Sequence, residues 1–345
     1  MPSTADSTPT SPSPTVASPV PEANGRRLPG WAGLAFRLTA TLGLMAFVLR
    51  GIDWQSLLGL LQSLDWRWCI SGLLTAVFIQ IIAGIRWSSL ARPIGFEHTT
   101  GYFVWRFFEG LFFNLCLPSS IGGDVVKAYR LAETTSGRLL AGCTILADRL
   151  TGVSALGVLA GAALLALRFQ LSPVVTLAVG GLLLSGVLLF FRLAVGSLDW
   201  LLDRLPAHHR LRQFLSQLLP YQLRPILMSR AVGWSLIVQA GASVSVALLA
   251  RALGVNLGLG IWFSVVPLIA LAMVLPISIN GVGLREGGMA LLLSPWGVAR
   301  EQAIAVGLLW LLATVFTGLA GGVLFLLDRR PHGPGDLTFP ATADQ

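Results

Sequence analysis

Two stretches of the sequence place charged residues beside helix-breaking residues in otherwise apolar surroundings. The first contains an amide, a proline, two glycines and three charged residues: Asn114, Pro118, Gly122, Gly123, Asp124, Lys127 and Arg130. Proline ends a helix and glycine permits a turn, so a new helix is predicted to begin at or near Asp124. Lys127 and Arg130 are expected close to the helical face that carries Asp124. Free N–H groups and two cations suit a phosphate oxygen, which predicts a lipid headgroup site. A capped helix start with cations reaching the membrane surface is the alternative.

The second stretch, from Asn280 to Glu286, combines an amide, glycines and charged residues in the same way. Asn280, Gly281 and Gly283 indicate unwound backbone that directs N–H groups toward a ligand. Arg285 is a second candidate for binding the headgroup. Glu286 is either a proton-coupling carboxylate or an acidic residue stabilised by a helix N-terminus, and the sequence favours neither interpretation.

A third pair of charges, Asp148 and Arg149, lies inside an apolar run that begins near residue 141. An ionisable pair within a span is costly and marks a candidate functional site, and a buried ion network that fixes helix register is the alternative. Adjacent helical residues point about 100° apart, so Asp148 is expected to meet a cation on another helix. Three cations are candidates: Arg106, Lys127 and Arg285. Arg106 and Glu109 have the spacing of a local pair, and Arg86 is interpreted as an anchor at a span end.

The composition identifies an integral membrane protein. Of 345 residues, 54% are hydrophobic and 12% are charged, whereas soluble domains carry about 25% charged residues. The net charge of +8 comes from arginines that flank apolar runs, which favours contact with anionic lipid over nucleic acid. The three cysteines and four histidines have no metal-ligand spacing, so neither a metal nor a cofactor is predicted.

The apolar runs predict an all-α polytopic membrane protein. Runs near the ~20 residues that a span requires cover about 31–50, 68–90, 141–167, 173–191, 231–253 and 302–327. Two further apolar stretches, 99–117 and 259–279, lead into the two breaks and give eight spans if both cross. If both re-enter as hairpins, six spans remain, and segment 118–140 and the Arg-rich segment 192–230 both lie on the cytoplasmic side. We therefore predict six spans and two re-entrant hairpins, with an inverted repeat as a hypothesis.

Three segments are predicted to lie outside the spans. Residues 1–30 are rich in Pro, Ser and Thr, which is typical of a disordered tail, here cytoplasmic, and 329–345 form a short C-terminal tail. In 197–230, five apolar residues share one helical face: Leu211, Phe214, Leu215, Leu218 and Leu219. The opposite face is basic and polar, which predicts an amphipathic helix in the inner headgroup layer. A connector packed on the bundle is the alternative.

Together, the charged motifs resemble the lysylphosphatidylglycerol synthase transmembrane-region family. The resemblance covers roughly residues 31–328 and rests on three motifs: Asn114-x3-Pro118-x3-Gly122-Gly123-Asp124, Asp148-Arg149-x2-Gly152 and Gly281-x-Gly283-x-Arg285-Glu286-Gly287. It implies a multi-pass bacterial or archaeal membrane protein and, as in the best-studied relatives, a phospholipid flippase. Those relatives carry a soluble aminoacyl-transfer domain after the membrane region. Only 17 residues follow Asp328 here, so lipid aminoacylation is not expected.

Two functional hypotheses follow. The first is a lipid flippase of the bacterial cell membrane, in which a polar or anionic headgroup of a phospholipid or polyprenyl-linked lipid meets the charged residues of the breaks and Arg149. The second is an intramembrane enzyme or accessory protein in glycolipid or polyprenyl-lipid biosynthesis, which is less expected because no soluble catalytic motif is present. A membrane lipid is the expected partner, and a homo-oligomer or a lipid-biosynthesis partner stays open.

Overall fold

The computed structural model describes residues 30–328, except 51, 118–121, 133, 276–277 and most of 167–223. Within these residues all regular structure is helical, which confirms the predicted all-α class. The α-helices are α1 (Gly30–Leu49), α2 (Trp54–Gln62), α3 (Trp66–Ala91), α4 (Thr100–Cys116), α5 (Gly122–Leu131), α6 (Thr135–Ala166), α7 (Leu219–Gln222), α8 (Pro225–Ala252), α9 (Leu259–Val274), α10 (Leu284–Leu293) and α11 (Arg300–Leu327). The predicted span at 173–191, the terminal tails, Pro118 and most of the amphipathic segment lie outside the described residues.

Four of these helices, α3, α6, α8 and α11, are long and apolar enough to cross a membrane. They coincide with four of the six predicted spans, and α1 coincides with the first. The backbone of a helix satisfies its own hydrogen bonds, which lipid cannot do, so such apolar runs fold as helices. The chain is therefore a multi-pass membrane protein.

The first predicted break separates α4 and α5, which form an antiparallel hairpin. Near the open end, the Tyr102 hydroxyl donates a hydrogen bond to the carbonyl oxygen of Arg130 at 2.5 Å. Near the tip, the Gly123 amide donates to the Asn114 side-chain oxygen at 2.9 Å. A Cβ on Gly123 would overlap the carbonyl oxygen of Gly110, so only glycine allows this close approach. The hairpin therefore begins and ends on the same side of the bundle.

The second break separates α9 and α10, which also run antiparallel. Gly281 lies against Met273, and Gly288 lies against Ile269. As the chain advances from Gly281 into α10, its contacts therefore move backward along α9, which shows that the two helices are antiparallel. Between the helices the chain turns through left-handed backbone at Asn280, where φ is 50°. Asparagine tolerates this conformation better than most residues because its short amide bonds locally.

Helix α11 crosses both hairpins. Near its start, Gly307 lies against Glu286 of α10, and near its end Gly321 lies against the backbone of Phe108 in α4. Small residues let helices approach closely in membranes. The two hairpins thus occupy opposite halves of α11 and approach each other from opposite ends of the bundle.

The order of helices repeats between α3–α6 and α8–α11, with a long helix, two short ones and another long helix in each half. The first helix of each half ends near a Leu-Ala-Arg sequence, at 90–92 and at 249–251. A glycine with positive φ follows three residues after each arginine: Gly95 at 116° and Gly254 at 78°. Together with the opposed hairpins, this arrangement matches the hypothesis of an inverted repeat.

Candidate functional site

The tips of the two hairpins meet in the bundle. The Asn280 side-chain nitrogen lies 3.4 Å from the carbonyl oxygen of Asn114. The carbonyl oxygen of Asn280 accepts a hydrogen bond from Arg285 at 2.7 Å, and Thr41 of α1 accepts one from the Ile279 amide at 2.8 Å. The two predicted breaks therefore lie against each other at their tips.

At the first break, one carboxylate is shared by two cations. Lys127 Nζ lies 2.7 Å from Asp124 Oδ1, and Arg149 Nη2 lies 2.8 Å from Asp124 Oδ2. The side chains of Asp124 and Lys127 are buried, whereas that of Arg149 is 51% exposed. The cluster carries a formal surplus of one positive charge, and Arg149 is its most exposed member.

Aromatic rings hold Lys127 in this position. Its Nζ lies 4.9 Å from the ring centroid of Phe107 and 5.4 Å from that of Trp87. A Cβ on Gly110 would press against the lysine stem, so glycine makes room for the side chain. Cation–π contacts favour a desolvated ammonium and fix the only lysine of the chain beside Asp124.

At the second break, Arg285 and Glu286 are almost completely buried, with 1% and 0% exposure. Glu286 Oε2 accepts a hydrogen bond from the Gly283 amide at 2.7 Å, which caps α10. Glu286 Oε1 and two nitrogens of Arg285, Nε and Nη1, have no hydrogen-bond partner among the described residues. The guanidinium also lies 5.3 Å from the ring centroid of Trp310. Unpartnered polar atoms are rare in protein interiors and call for a specific explanation.

Asp148 belongs to a separate, closed ion pair. Arg86 donates to both of its carboxylate oxygens, from Nε at 2.7 Å and from Nη2 at 2.9 Å, and Arg86 Nη1 donates to Ser235 at 3.0 Å. The prediction that Arg86 is an anchor at a span end is wrong, since the residue is 6% exposed and links α3, α6 and α8. The prediction that Asp148 meets a cation on another helix is confirmed, but that cation is Arg86 of α3. The three named candidates were wrong, because Arg106, Lys127 and Arg285 have other contacts.

The predicted pair of Arg106 and Glu109 is confirmed, with Arg106 Nη1 at 2.6 Å from Glu109 Oε1. The structure adds Asp328, which sequence reasoning missed and whose Oδ2 lies 2.8 Å from the same nitrogen. Arg130 lies near this group, 5.7 Å from the Phe325 ring centroid and at the opposite end of α5 from the break. The structure therefore does not bring Arg130 to the cluster around Asp124.

The arrangement at the breaks suits reversible binding of an anion. Lys127 and Arg149 contact the Asp124 carboxylate at the first tip, and Arg285 and Glu286 are buried at the second. An incoming phosphate can compete with a carboxylate for the same guanidinium, since both accept its N–H groups. Among the described residues, no three His, Cys, Asp or Glu side chains come together as a metal site.

The family model described as the lysylphosphatidylglycerol synthase TM region matches residues 31–322. The chain belongs to this family. The match confirms the membership that three short motifs predicted, and it spans both hairpins and the four long helices. No curated protein and no solved structure matches the chain. Its membership places it in a membrane family associated with lipid handling.

Proposed function

We propose that this protein is a lipid transporter of the flippase type, which moves a polar or anionic headgroup across the cell membrane. The observation that carries this proposal is the buried pair at the second break, Arg285 and Glu286, with unpartnered charged atoms at a hairpin tip. Charged atoms without partners are costly in a membrane interior and mark ligand or proton pathways. A headgroup phosphate bound at Arg285, or a proton bound at Glu286, compensates this cost during part of a transport cycle.

The lengths of the short helices support re-entrant hairpins. Helices α5 and α10 have 10 residues each, which corresponds to about 15 Å, whereas the hydrocarbon core is about 30 Å thick. Because α5 and α10 are each too short to cross this layer, their lengths support hairpins that turn inside the membrane and return to their own side. A headgroup that enters beside one tip needs to pass only the other tip to reach the opposite leaflet.

The charges at the tips provide a route for that headgroup. Arg149 is half exposed and receives the anion first, at the edge of the cluster with Asp124 and Lys127. The Asn114–Asn280 contact connects this cluster to Arg285. The acyl tails stay in lipid, so the protein hides only the headgroup from hydrocarbon, as expected for broken helices that meet at the membrane midplane.

A reconstituted assay tests the proposal. Purified protein is inserted into vesicles that contain phosphatidylglycerol with a fluorophore on one acyl tail. Added dithionite bleaches the fluorophore only on lipids in the outer leaflet. We expect Arg149→Ala and Glu286→Ala to abolish the protein-dependent bleaching of inner-leaflet lipid while helix content is retained. Arg230→Ala and Glu301→Gln serve as controls, because they remove charges outside the hairpin tips.

Two outcomes contradict the proposal. Full translocation by both Arg149→Ala and Glu286→Ala overturns the site assignment. Lipid that is covalently changed, as measured by mass spectrometry of the vesicles, favours the biosynthetic alternative over transport. Lipid that changes leaflet without modification supports the flippase.

A further inference from the structure

A cavity of about 60 Å³ opens between α3, α8 and α11, outside the charged cluster. Its lining includes Gln80 of α3, Ser245 of α8, and Trp310, Thr314 and Thr317 of α11. Gln80 and Thr314 lie near the middle of two helices that are long enough to span the membrane. The cavity therefore lies near the membrane midplane, at the depth of the hairpin tips.

The polar groups of this cavity are available to a ligand. The hydroxyls of Ser245, Thr314 and Thr317 donate to backbone oxygens of Gly72, Trp310 and Thr314 at 2.8, 3.0 and 2.9 Å, respectively. Their oxygen lone pairs are left to accept further hydrogen bonds. The Gln80 side chain makes no hydrogen bond to the described part of the protein and supplies two donors and one acceptor.

The lining also has a definite charge preference. Every described residue that lines the cavity is uncharged, so neither an ammonium nor a phosphate would be compensated there. A volume of 60 Å³ holds about four to six waters at 10–15 Å³ each, which is comparable to the space of a glycerol or part of a sugar. Hydroxyl groups both donate and accept, so they match the polar side chains of the lining, and the carbon skeleton of a polyol can pack against its alanines, isoleucine and valine.

We propose that this cavity, the polyol subsite, binds the uncharged, hydroxyl-bearing part of a lipid headgroup, such as a glycerol or sugar. This inference rests on the proposed function and names its substrate class. Trp310 connects the two sites, because its indole lines the polyol subsite and also lies 5.3 Å from the Arg285 guanidinium carbon. A headgroup with a phosphate at Arg285 therefore extends its hydroxyls past Trp310 into the polyol subsite.

The test compares lipids that carry a hydroxyl-bearing headgroup with lipids that lack it. Phosphatidylglycerol has a phosphate and two hydroxyls, and phosphatidic acid has the phosphate alone. A glucosyl diacylglycerol, compared with diacylglycerol, separates a sugar source from a glycerol source. Two quantities are measured for each pair: the ratio of translocation rates in vesicles, and the ratio of lipid retained by detergent-purified protein, counted by mass spectrometry.

We expect the wild-type protein to prefer one hydroxylated lipid over its matched partner in both measurements. Thr314→Val keeps the side-chain shape and removes an acceptor, and Gln80→Leu removes the free amide. Each variant lowers the preference ratio by about fivefold, the worth of one hydrogen bond. Thr75→Val is the matched control, because this threonine also donates to its own helix in α3 but does not line the cavity.

The two proposals fail in different ways. Translocation without any preference for a hydroxylated lipid overturns the polyol subsite and leaves the flippase intact. Preferential retention without translocation overturns the flippase and supports the subsite. An unchanged preference ratio in both Thr314→Val and Gln80→Leu, or an equal loss in Thr75→Val, also overturns the subsite.

Discussion

The ion pair between Arg86 and Asp148 allows a quantitative test of how the bundle packs. The two side chains are 7% and 6% exposed and share two hydrogen bonds, at 2.7 and 2.9 Å. In Asp148→Ala, the guanidinium stays buried with only Ser235 as a described side-chain partner. Removing one member of a buried pair costs about 3–5 kcal/mol, because the other charge is left uncompensated. We expect the free energy of unfolding of Asp148→Ala to fall by this amount.

Removing both charges is expected to have a much smaller effect. In the double variant Arg86→Met/Asp148→Leu, apolar side chains fill the volume and no charge remains in the interior. Such replacements are neutral or stabilising in soluble proteins. We therefore expect the double variant to unfold within about 1 kcal/mol of the wild-type protein.

The measurement is reversible unfolding in mixed micelles by titration with dodecyl sulfate, followed by far-ultraviolet circular dichroism. Arg67→Met is the matched control, since it removes an arginine from the exposed start of α3. If the double variant were as unstable as Asp148→Ala, the loss of stability would not come from an uncompensated charge. An unchanged Asp148→Ala would show that the pair does not connect α3 to α6 as described.

Two further predictions concern the tip of the first hairpin. In Gly123→Ala, the added Cβ overlaps the Gly110 carbonyl oxygen, so we expect a loss of about 1–3 kcal/mol in stability together with slower translocation; wild-type stability would contradict the close packing of α4 and α5. Cys116 near the tip is exposed, whereas Cys69 and Cys143 are buried. We expect a charged methanethiosulfonate reagent to label Cys116 alone in vesicles, measured by intact mass; protection of Cys116 would argue against water at the tip.

The sequence predicted the spans well because lipid leaves the chain few alternatives. An apolar run of about 20 residues must satisfy its backbone internally and therefore forms a helix. The two breaks were equally visible, since glycines and prolines interrupt apolar runs there. Contacts between hairpins were not visible: the approach of Asn280 to Asn114 joins residues 166 positions apart.

The charged residues of the site were found by type, but their partners were not. Helix α3 is apolar around most of its surface, so its pattern does not show which face meets α6, and Arg86 was misassigned for this reason. Gln80, Thr314 and Thr317 escaped notice because single polar residues in an apolar helix commonly bond to their own backbone. Thr314 and Thr317 form such bonds. What separates these residues from other polar residues in the helices is the cavity that they line, and the sequence does not show that cavity.

Positions that correspond by helix order in the two halves of the bundle have different surroundings. Arg86 lies four residues before the Leu-Ala-Arg sequence at the end of α3, and Ser245 lies four residues before the one at the end of α8. Asp148 lies 13 residues after the first residue of α6, and Ala313 lies 13 residues after the first residue of α11. Arg86 and Asp148 form a bidentate ion pair in the first half. Ser245 and Ala313, at the corresponding positions of the second half, line the polyol subsite. Ligand-dependent movement is therefore expected where α3, α8 and α11 border the cavity, rather than at the ion pair of Arg86 and Asp148.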